Sequence, residues 1–310
     1  MTYLINRNIN FTNICHGSCK FCAFRRSFGD ADAYTLTPAQ IASKVREAVN
    51  FGATEVCIQG GLHPDFRLEN YLAILRAVRS VSPSIHIHAF SPSEVDHMAN
   101  SEKIPVEDVI KKLIENGLNS IPGTAAEILV DRVRSIICPE KIDINRWVEI
   151  IKTCHRLGLP TTATMMYGHV ETAQEIAQHL HLIREIQRET HGFTEFVLLP
   201  FMFYNTRLWH EGLISSSPSL DENLRVHAVS RLMLAGHIKN IQTSWVKLGP
   251  AGAKLMLKAG ANDLGGTLME ENISRAAGGE LQRMYPEELR QLILEIGRIP
   301  RQRTTTYELI

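Results

Sequence analysis

Apolar residues recur along the chain in two alternating periods. The helical period is clearest over 38–51, where Ile41, Val45, Ala48 and Val49 share a face that ends at Gly52. Thr37 and Gln40 have capping-box spacing, and Pro38 suits the first helical position. Similar patterns cover 106–116, 145–157 and 172–189, the first two stopped by Gly117 and Gly158. Between them lie short β-type runs, which predict strands at 9–14, 55–59, 85–90, 118–121, 161–166, 195–199, 240–244 and 262–265.

Strands that alternate with helices form parallel sheets through right-handed crossovers, so this order predicts a closed (β/α)8 TIM-type barrel. An open (β/α)6 partial barrel with a C-terminal extension is the alternative. No repeat or linker divides the 310 residues, and one domain over 1–310 is expected, with strands one to six within about 8–200 and a barrel-completing part over 201–310. Several strands carry a polar row opposite the apolar one: Asn8, Asn10 and Thr12; His86 and His88; Thr162 and Thr164; Gln242 and Ser244. Turned inward, these rows would line a ligand chamber; the alternative is that they sit at solvated strand ends.

Charge narrows the partners. Lys plus Arg and Asp plus Glu are both 33, so no broad field draws in nucleic acid or an anionic membrane, and a small-molecule partner is expected. No run approaches the roughly 20 apolar residues of a membrane span, and residues 1–7 lack a signal-peptide pattern. A cytoplasmic location is the expectation.

Six cysteines are too few and too uneven for a disulfide scaffold. Cys154 lies on an apolar helical stripe and Cys57 inside a β-type run, so both read as small buried hydrophobes. Cys138 precedes Pro139 in a loop, where a ligand role is open but no metal-binding neighbour stands close in sequence. Cys15, Cys19 and Cys22 are different: they form CxxxCxxC at the end of the first predicted strand, the end at which barrel enzymes do their chemistry. Three thiolates can hold three irons of a cubane and leave the fourth without a protein ligand. A zinc site would need a fourth ligand that His16 is badly placed to supply, and a two-cysteine redox site would leave Cys15 idle.

This motif in this place resembles the radical S-adenosylmethionine superfamily. The resemblance implies one 4Fe-4S cluster on Cys15, Cys19 and Cys22, with S-adenosylmethionine bound at the open iron and split to a 5'-deoxyadenosyl radical. It further implies that Phe21 packs near the adenine, that Gly60 and Gly61 bring backbone carbonyls to the methionine amino group, that Glu127 stands by the cosubstrate, and that Gly168 with Glu171 belongs to an adenine-contacting motif. Thr164 departs from the glycine usual in that motif. Each has a plainer reading as well: a hydrophobic plug, a turn, and a first-turn helix carboxylate.

Longer blocks narrow the likeness. Asn10-Phe11-Thr12-Asn13-Ile14-Cys15, Ile58-Gln59-Gly60-Gly61-Leu62-His63-Pro64, His86-Ile87-His88-Ala89-Phe90-Ser91-Pro92, Thr164-Met165-Met166-Tyr167-Gly168-His169 and Gly260 to Thr267 resemble the CofH family. Aminofutalosine synthase and dehypoxanthine futalosine cyclase of the menaquinone pathway share several blocks, while His-Ala-Phe-Ser-Pro and Ile-Pro-Gly-Thr-Ala-Ala-Glu favour the deazaflavin branch. The CofH likeness implies a radical transferase for deazaflavin, the coenzyme F420 precursor. It would cleave Cα–Cβ of L-tyrosine and join the 4-hydroxybenzyl group to 5-amino-6-(D-ribitylamino)uracil. A CofG-type partner subunit and an electron donor such as a ferredoxin or flavodoxin are implied too. Strand-end position makes His88, Tyr167 and His169 the candidate catalytic residues, with Gln242 and Asp263 as further substrate contacts; Arg25 and Arg26 could pair with a carboxylate or simply be solvated. Relatives carry a helical segment before the first strand, so the bottom of this barrel is expected to be less covered. A non-catalytic zinc or iron–sulfur module remains the alternative of another class.

Overall fold

The computed structural model describes residues 1–310. The first barrel strand has two halves, β1 (Thr2–Leu4) and β2 (Asn6–Asn10). Then follow α1 (Pro38–Asn50), β3 (Glu55–Gln59), α2 (Leu68–Val81), β4 (His86–Ala89), α3 (Pro92–Glu102), α4 (Val106–Glu115), α5 (Asp131–Ile137) and α6 (Ile144–Arg156). The second half holds β5 (Thr161–Tyr167), α7 (Ala173–Thr190), β6 (Phe193–Pro200), α8 (Arg207–His210), α9 (Leu220–Leu234), β7 (Ile241–Gln242), α10 (Trp245–Lys258), β8 (Asp263–Gly266), α11 (Asn272–Ala276), α12 (Pro286–Glu295) and β9 (Arg301–Gln302). The capping box expected at α1 is present, with Thr37 Oγ1 accepting from the Gln40 N–H and the Gln40 side chain accepting from the Thr37 N–H.

Parallel pairing runs all the way round. β2 pairs β3, and β3 pairs β4, in the register Asn8, Cys57, His88. Single parallel bridges then join His88 to Ser120 and Ile121 to Thr161, so the strand predicted at 118–121 is the thinnest stave of the ring. From β5 the order is β6, β7, β8 and back to β1, with Thr2 opposite Asp263 and Leu4 opposite Gly266. The ring is the eight-stave barrel read from the sequence, and the open form is set aside. No helix is long and apolar enough to cross a membrane.

Apolar packing lies outside the ring, between strands and helices. One cluster of 29 buried residues packs β2, β3 and β4 against α1 to α4 and one face of α6, and another of 36 packs β5 to β8 against helices from α5 onward. The interior is polar. His88 Nδ1 and His86 Nε2 both bond Ser120 Oγ, at 2.6 and 2.7 Å, and Asn6 Nδ2 donates to Glu55 Oε1 at 2.8 Å. Cys57 belongs to this inward row between Asn8 and His88, not to the apolar layer its sequence context suggested. Cys154, 0% exposed, does lie in the apolar layer.

The chain's own C-terminal residues cover the bottom of the barrel. β9 pairs alongside β1 and carries the chain under the ring. There Arg303, 1% exposed, reaches Asp263 with Nε–Oδ2 2.5 Å and Nη2–Oδ1 2.9 Å, and Glu195 at 3.3 Å. Thr305 donates to Glu55 at 2.7 Å, and Tyr307 donates to Glu195. Two buried carboxylates, Asp263 and Glu195, thus share the guanidinium, and the hydroxyls of Thr2, Thr305 and Tyr307 serve them and Glu55. Asp263, offered above as a substrate contact, opens its strand and so sits at the base, committed to Arg303. Removing one partner from such a network leaves buried charge uncompensated. Arg303→Met should therefore destabilise the protein by about 3–5 kcal/mol, read as a lower urea midpoint.

Candidate active site

Several non-glycine residues at the top of the barrel adopt left-handed backbone conformations. Phe90 (φ 64°) follows β4, Ala125 (65°) and Glu127 (48°) follow the stave at 120–121, and Leu268 (59°) and Met269 (54°) follow β8. Non-glycine residues in the left-handed region cost about 1–3 kcal/mol each and persist where surrounding contacts hold them. Arg134 supplies such contacts, donating to the carbonyls of Ala125 and Ala126 at 3.0 and 2.7 Å, while Trp147 Nε1 donates to that of Thr124 at 3.1 Å.

The cysteine loop springs from this face. β2 ends at Asn10, earlier than predicted, and the chain continues through bridges at Thr12–Thr35 and Ile14–Arg26 into Cys15. Arg25 Nε donates to the Cys15 carbonyl at 3.2 Å, and Arg26 donates to those of Ala23 and Arg25 at 3.0 and 2.9 Å, so both arginines brace the loop. Cys15, Cys19 and Cys22 are all half-buried. Burial pushes the Cys19 thiol up to about 12 and raises that of Cys22, and each thiol feels the charge of another cysteine. Nowhere do three or more His, Cys, Asp or Glu side chains converge as they would on one metal ion. A cubane offers a separate iron to each thiolate, so it needs no common point, and the donor set suits it.

Gly60 and Gly61 pack straight against the root of that loop. A Cβ on Gly60 would meet the Phe11 ring at 2.6 Å, and one on Gly61 would lie 2.3 Å from the Ile14 carbonyl oxygen and 2.9 Å from Cys15 Cβ. Only hydrogen fits. The Gly61 N–H donates to the Thr12 carbonyl at 2.9 Å, and the Gly60 N–H donates to Glu94 Oε1 at 3.1 Å. Glu94 also takes the Ser91 N–H at 2.6 Å. Burial raises its carboxyl to about 7 despite those donors.

Glu127 lies across the loop, 8% exposed, with Lys141 Nζ at 2.5 Å. Lys141 also stands 5.1 Å from the centre of the Phe21 ring. Burial disfavours its charge, but Glu127 and then Cys19 and Cys138 outweigh burial and raise its pKa. Cys138, 2% exposed, ends α5 with its N–H on the Arg134 carbonyl. It is a buried neighbour of the loop. The structure therefore brings Phe21, Glu127 and the three cysteines together and adds Lys141 and Glu94, which no local motif marks.

Other candidates are occupied with structural work. Tyr167 alternates with Ala163 and Met165, all in the outer apolar cluster, and its hydroxyl bonds Asn223 on α9. The strand's parity signals this outward direction. His169 donates from Nε2 to the Met166 carbonyl at 2.9 Å, and its Nδ1 lies 2.8 Å from Glu171. Glu171 also accepts from the Gly168 and His169 N–H groups. Burial alone would raise the Glu171 carboxyl, but His169 and these N–H groups hold it down to about 2. The segment after β5 is thus locked from within. Thr164 donates to the Gly123 carbonyl at 2.8 Å, stitching β5 to the loop that carries Glu127. His88 faces the lumen as a neutral imidazole, its pKa lowered to about 3 by burial and then by Arg303. Gln242 lies against Gly265.

A polar-lined barrel with a three-thiol loop at its mouth is the arrangement of one enzyme class, and the comparisons agree. Residues 9–183 match the profile of the Radical SAM superfamily, and the chain belongs to that superfamily. Residues 190–310 match the CofH/MqnC C-terminal region. The chain is 54% identical, over 100% of its length and 89% of the relative's, to a 5-amino-6-(D-ribitylamino)uracil--L-tyrosine 4-hydroxyphenyl transferase of Archaeoglobus fulgidus. It is 52% identical to the enzyme of that name from Methanocaldococcus jannaschii, over 100% and 88%. In fold it is similar to methylornithine synthase (PylB), with TM-score 0.71, 18% identity, and coverage of 96% of this chain and 83% of that one. The cofactors are accordingly a 4Fe-4S cluster and S-adenosylmethionine.

Two measurements probe the packing behind the loop. Gly61→Ala should lower iron content and brown colour after anaerobic reconstitution while far-ultraviolet circular dichroism stays native, because its Cβ displaces Ile14 and Cys15. Glu94 binds a proton more readily folded than unfolded, so its contribution to stability is present below about pH 4.5 and is lost as pH rises to about 7. Glu94→Gln should flatten that fall in a urea-midpoint series across this window.

Proposed function

We propose that this chain transfers the 4-hydroxybenzyl group of L-tyrosine to 5-amino-6-(D-ribitylamino)uracil, in the formation of a deazaflavin. The observation that carries the substrates is identity of 54% across the whole chain with a transferase of that name. The site supports the class of chemistry. Held there, the cluster and S-adenosylmethionine would supply hydrogen-atom abstraction from the substrate.

The chain's own residues bind, orient and exclude water. Cys15, Cys19 and Cys22 ligate three irons. The Gly60 and Gly61 carbonyls, which accept no hydrogen bond from the chain, serve the methionine amino group. Phe21 covers the adenine, Glu127 takes the cosubstrate's polar groups, and the loop at Gly168 supports the adenine side. The lumen's amides and imidazoles offer donors and acceptors to two polar substrates. Below, the Arg303 plug denies water a second entrance, which a radical requires. The part over 201–310 completes the chamber.

The reading places a CofG-type radical enzyme next in sequence to close the ring, a ferredoxin or flavodoxin as electron donor, and the protein in the reducing cytoplasm. Reconstituted protein with tyrosine, the diaminouracil, S-adenosylmethionine and a strong reductant should yield 5'-deoxyadenosine and the 4-hydroxybenzyl adduct by mass spectrometry. Cys19→Ala should lose both the products and the absorbance near ~400 nm. Turnover only with a futalosine-type substrate would move the chain to the menaquinone pathway.

A further inference from the structure

Lys247 is a half-buried cation without a counter-ion. It stands in the first turn of α10, just after β7, at the catalytic end of the barrel. Its only hydrogen-bond partner is Ser274 Oγ, at a long 3.4 Å. Lys141 and Lys20 each have a carboxylate, at 2.5 and 2.7 Å, but no carboxylate lies within 4 Å of Lys247. The two whose charge it feels are Glu271 and Glu127, and both are engaged. Glu271 accepts from Asn8 Nδ2 at 2.7 Å and from the Ser274 N–H at 2.8 Å, while Glu127 holds Lys141.

Ser274 also locates the ammonium. Its N–H donates to Glu271, which takes Nδ2 of the inward-facing Asn8 at 2.7 Å, so Lys247 Nζ stands at the mouth on the side of the first and eighth staves. Lys247 also forms part of the wall of a cavity of about 270 Å³ beside Phe201, Met202 and Pro218. A solute can therefore reach it. An ammonium partly shielded from water and without a carboxylate gains from an anion that arrives beside it.

We propose that Lys247, with Ser274 beside it, docks the α-carboxylate of the amino-acid substrate. This rests on the tyrosine-transferase reading above. The ribitylaminouracil carries no carboxylate. Lys141, not Lys247, stands on the cysteine side, 5.1 Å from the centre of the Phe21 ring within the cysteine loop. The carboxylate left for Lys247 is that of tyrosine, and the contact would fix the Cα–Cβ bond over the mouth.

The test compares tyrosine with tyramine, which lacks the carboxylate, on the reconstituted enzyme with saturating diaminouracil and S-adenosylmethionine. In the wild type, tyramine should lose about 100-fold in kcat/KM against tyrosine. In Lys247→Met the tyrosine KM should rise about 100-fold and the preference for tyrosine should fall to near one. Lys247→Arg should restore most of it. Equilibrium binding of labelled tyrosine to the same proteins should follow the KM, and Lys247→Gln reads the same ratio should the methionine variant be insoluble. A methionine or glutamine variant that keeps the wild-type preference overturns the role of Lys247. A wild type that never turns tyrosine over instead overturns the functional reading, and does so before any variant is made.

Discussion

Closing a parallel ring around a polar lumen puts charge where water cannot follow, and Arg303 is what makes that arrangement stable. Asp263, Glu195 and Glu55 belong to three different staves. Each faces inward at the base because strand parity leaves it no other direction. Without the guanidinium, Asp263 and Glu195 would be left with no compensating charge. The acid that shares Arg303 with Asp263 shows the tension: burial pushes the Glu195 carboxyl up to about 7 even though Arg303 opposes it. The C-terminal segment is therefore part of the barrel's interior.

That base has a counterpart at the mouth. A lumen filled by aliphatic layers would be stable but empty of chemistry, whereas this one is lined by Asn8, Cys57, His88 and Ser120. Hydrophobic stabilisation is displaced to the two arcs outside the strands. The helical layer in turn holds residues such as Glu127 and Phe90 in left-handed conformations at the rim. Packing outside is thus what permits both strain and polarity inside.

Two lysines divide the mouth between them. Lys141 is paired with Glu127 beside the cysteine loop, and Lys247, beside Ser274 after the eighth stave, has no carboxylate partner. One cation is satisfied by the fold and the other is not. This asymmetry gives the opening an orientation that a ring of eight similar staves would lack.

Much of this was legible in the chain. The CxxxCxxC spacing marks the reactive loop because three thiolates so close together have few other uses, and the eight β-type runs mark the staves because alternation is a local property. Sequence alone also placed the glycine pair and Glu127, each a short step after a strand. It misjudged Tyr167 and Asp263, since proximity to a strand end does not say which face a side chain takes or which end of the strand is meant. Lys141, Lys247, Glu94 and Arg303 carry no local signature: each matters through partners tens to hundreds of residues away, or through lacking one. Their roles exist only once the ring closes, because burial and charge pairing are properties of the space between segments and not of the segments themselves.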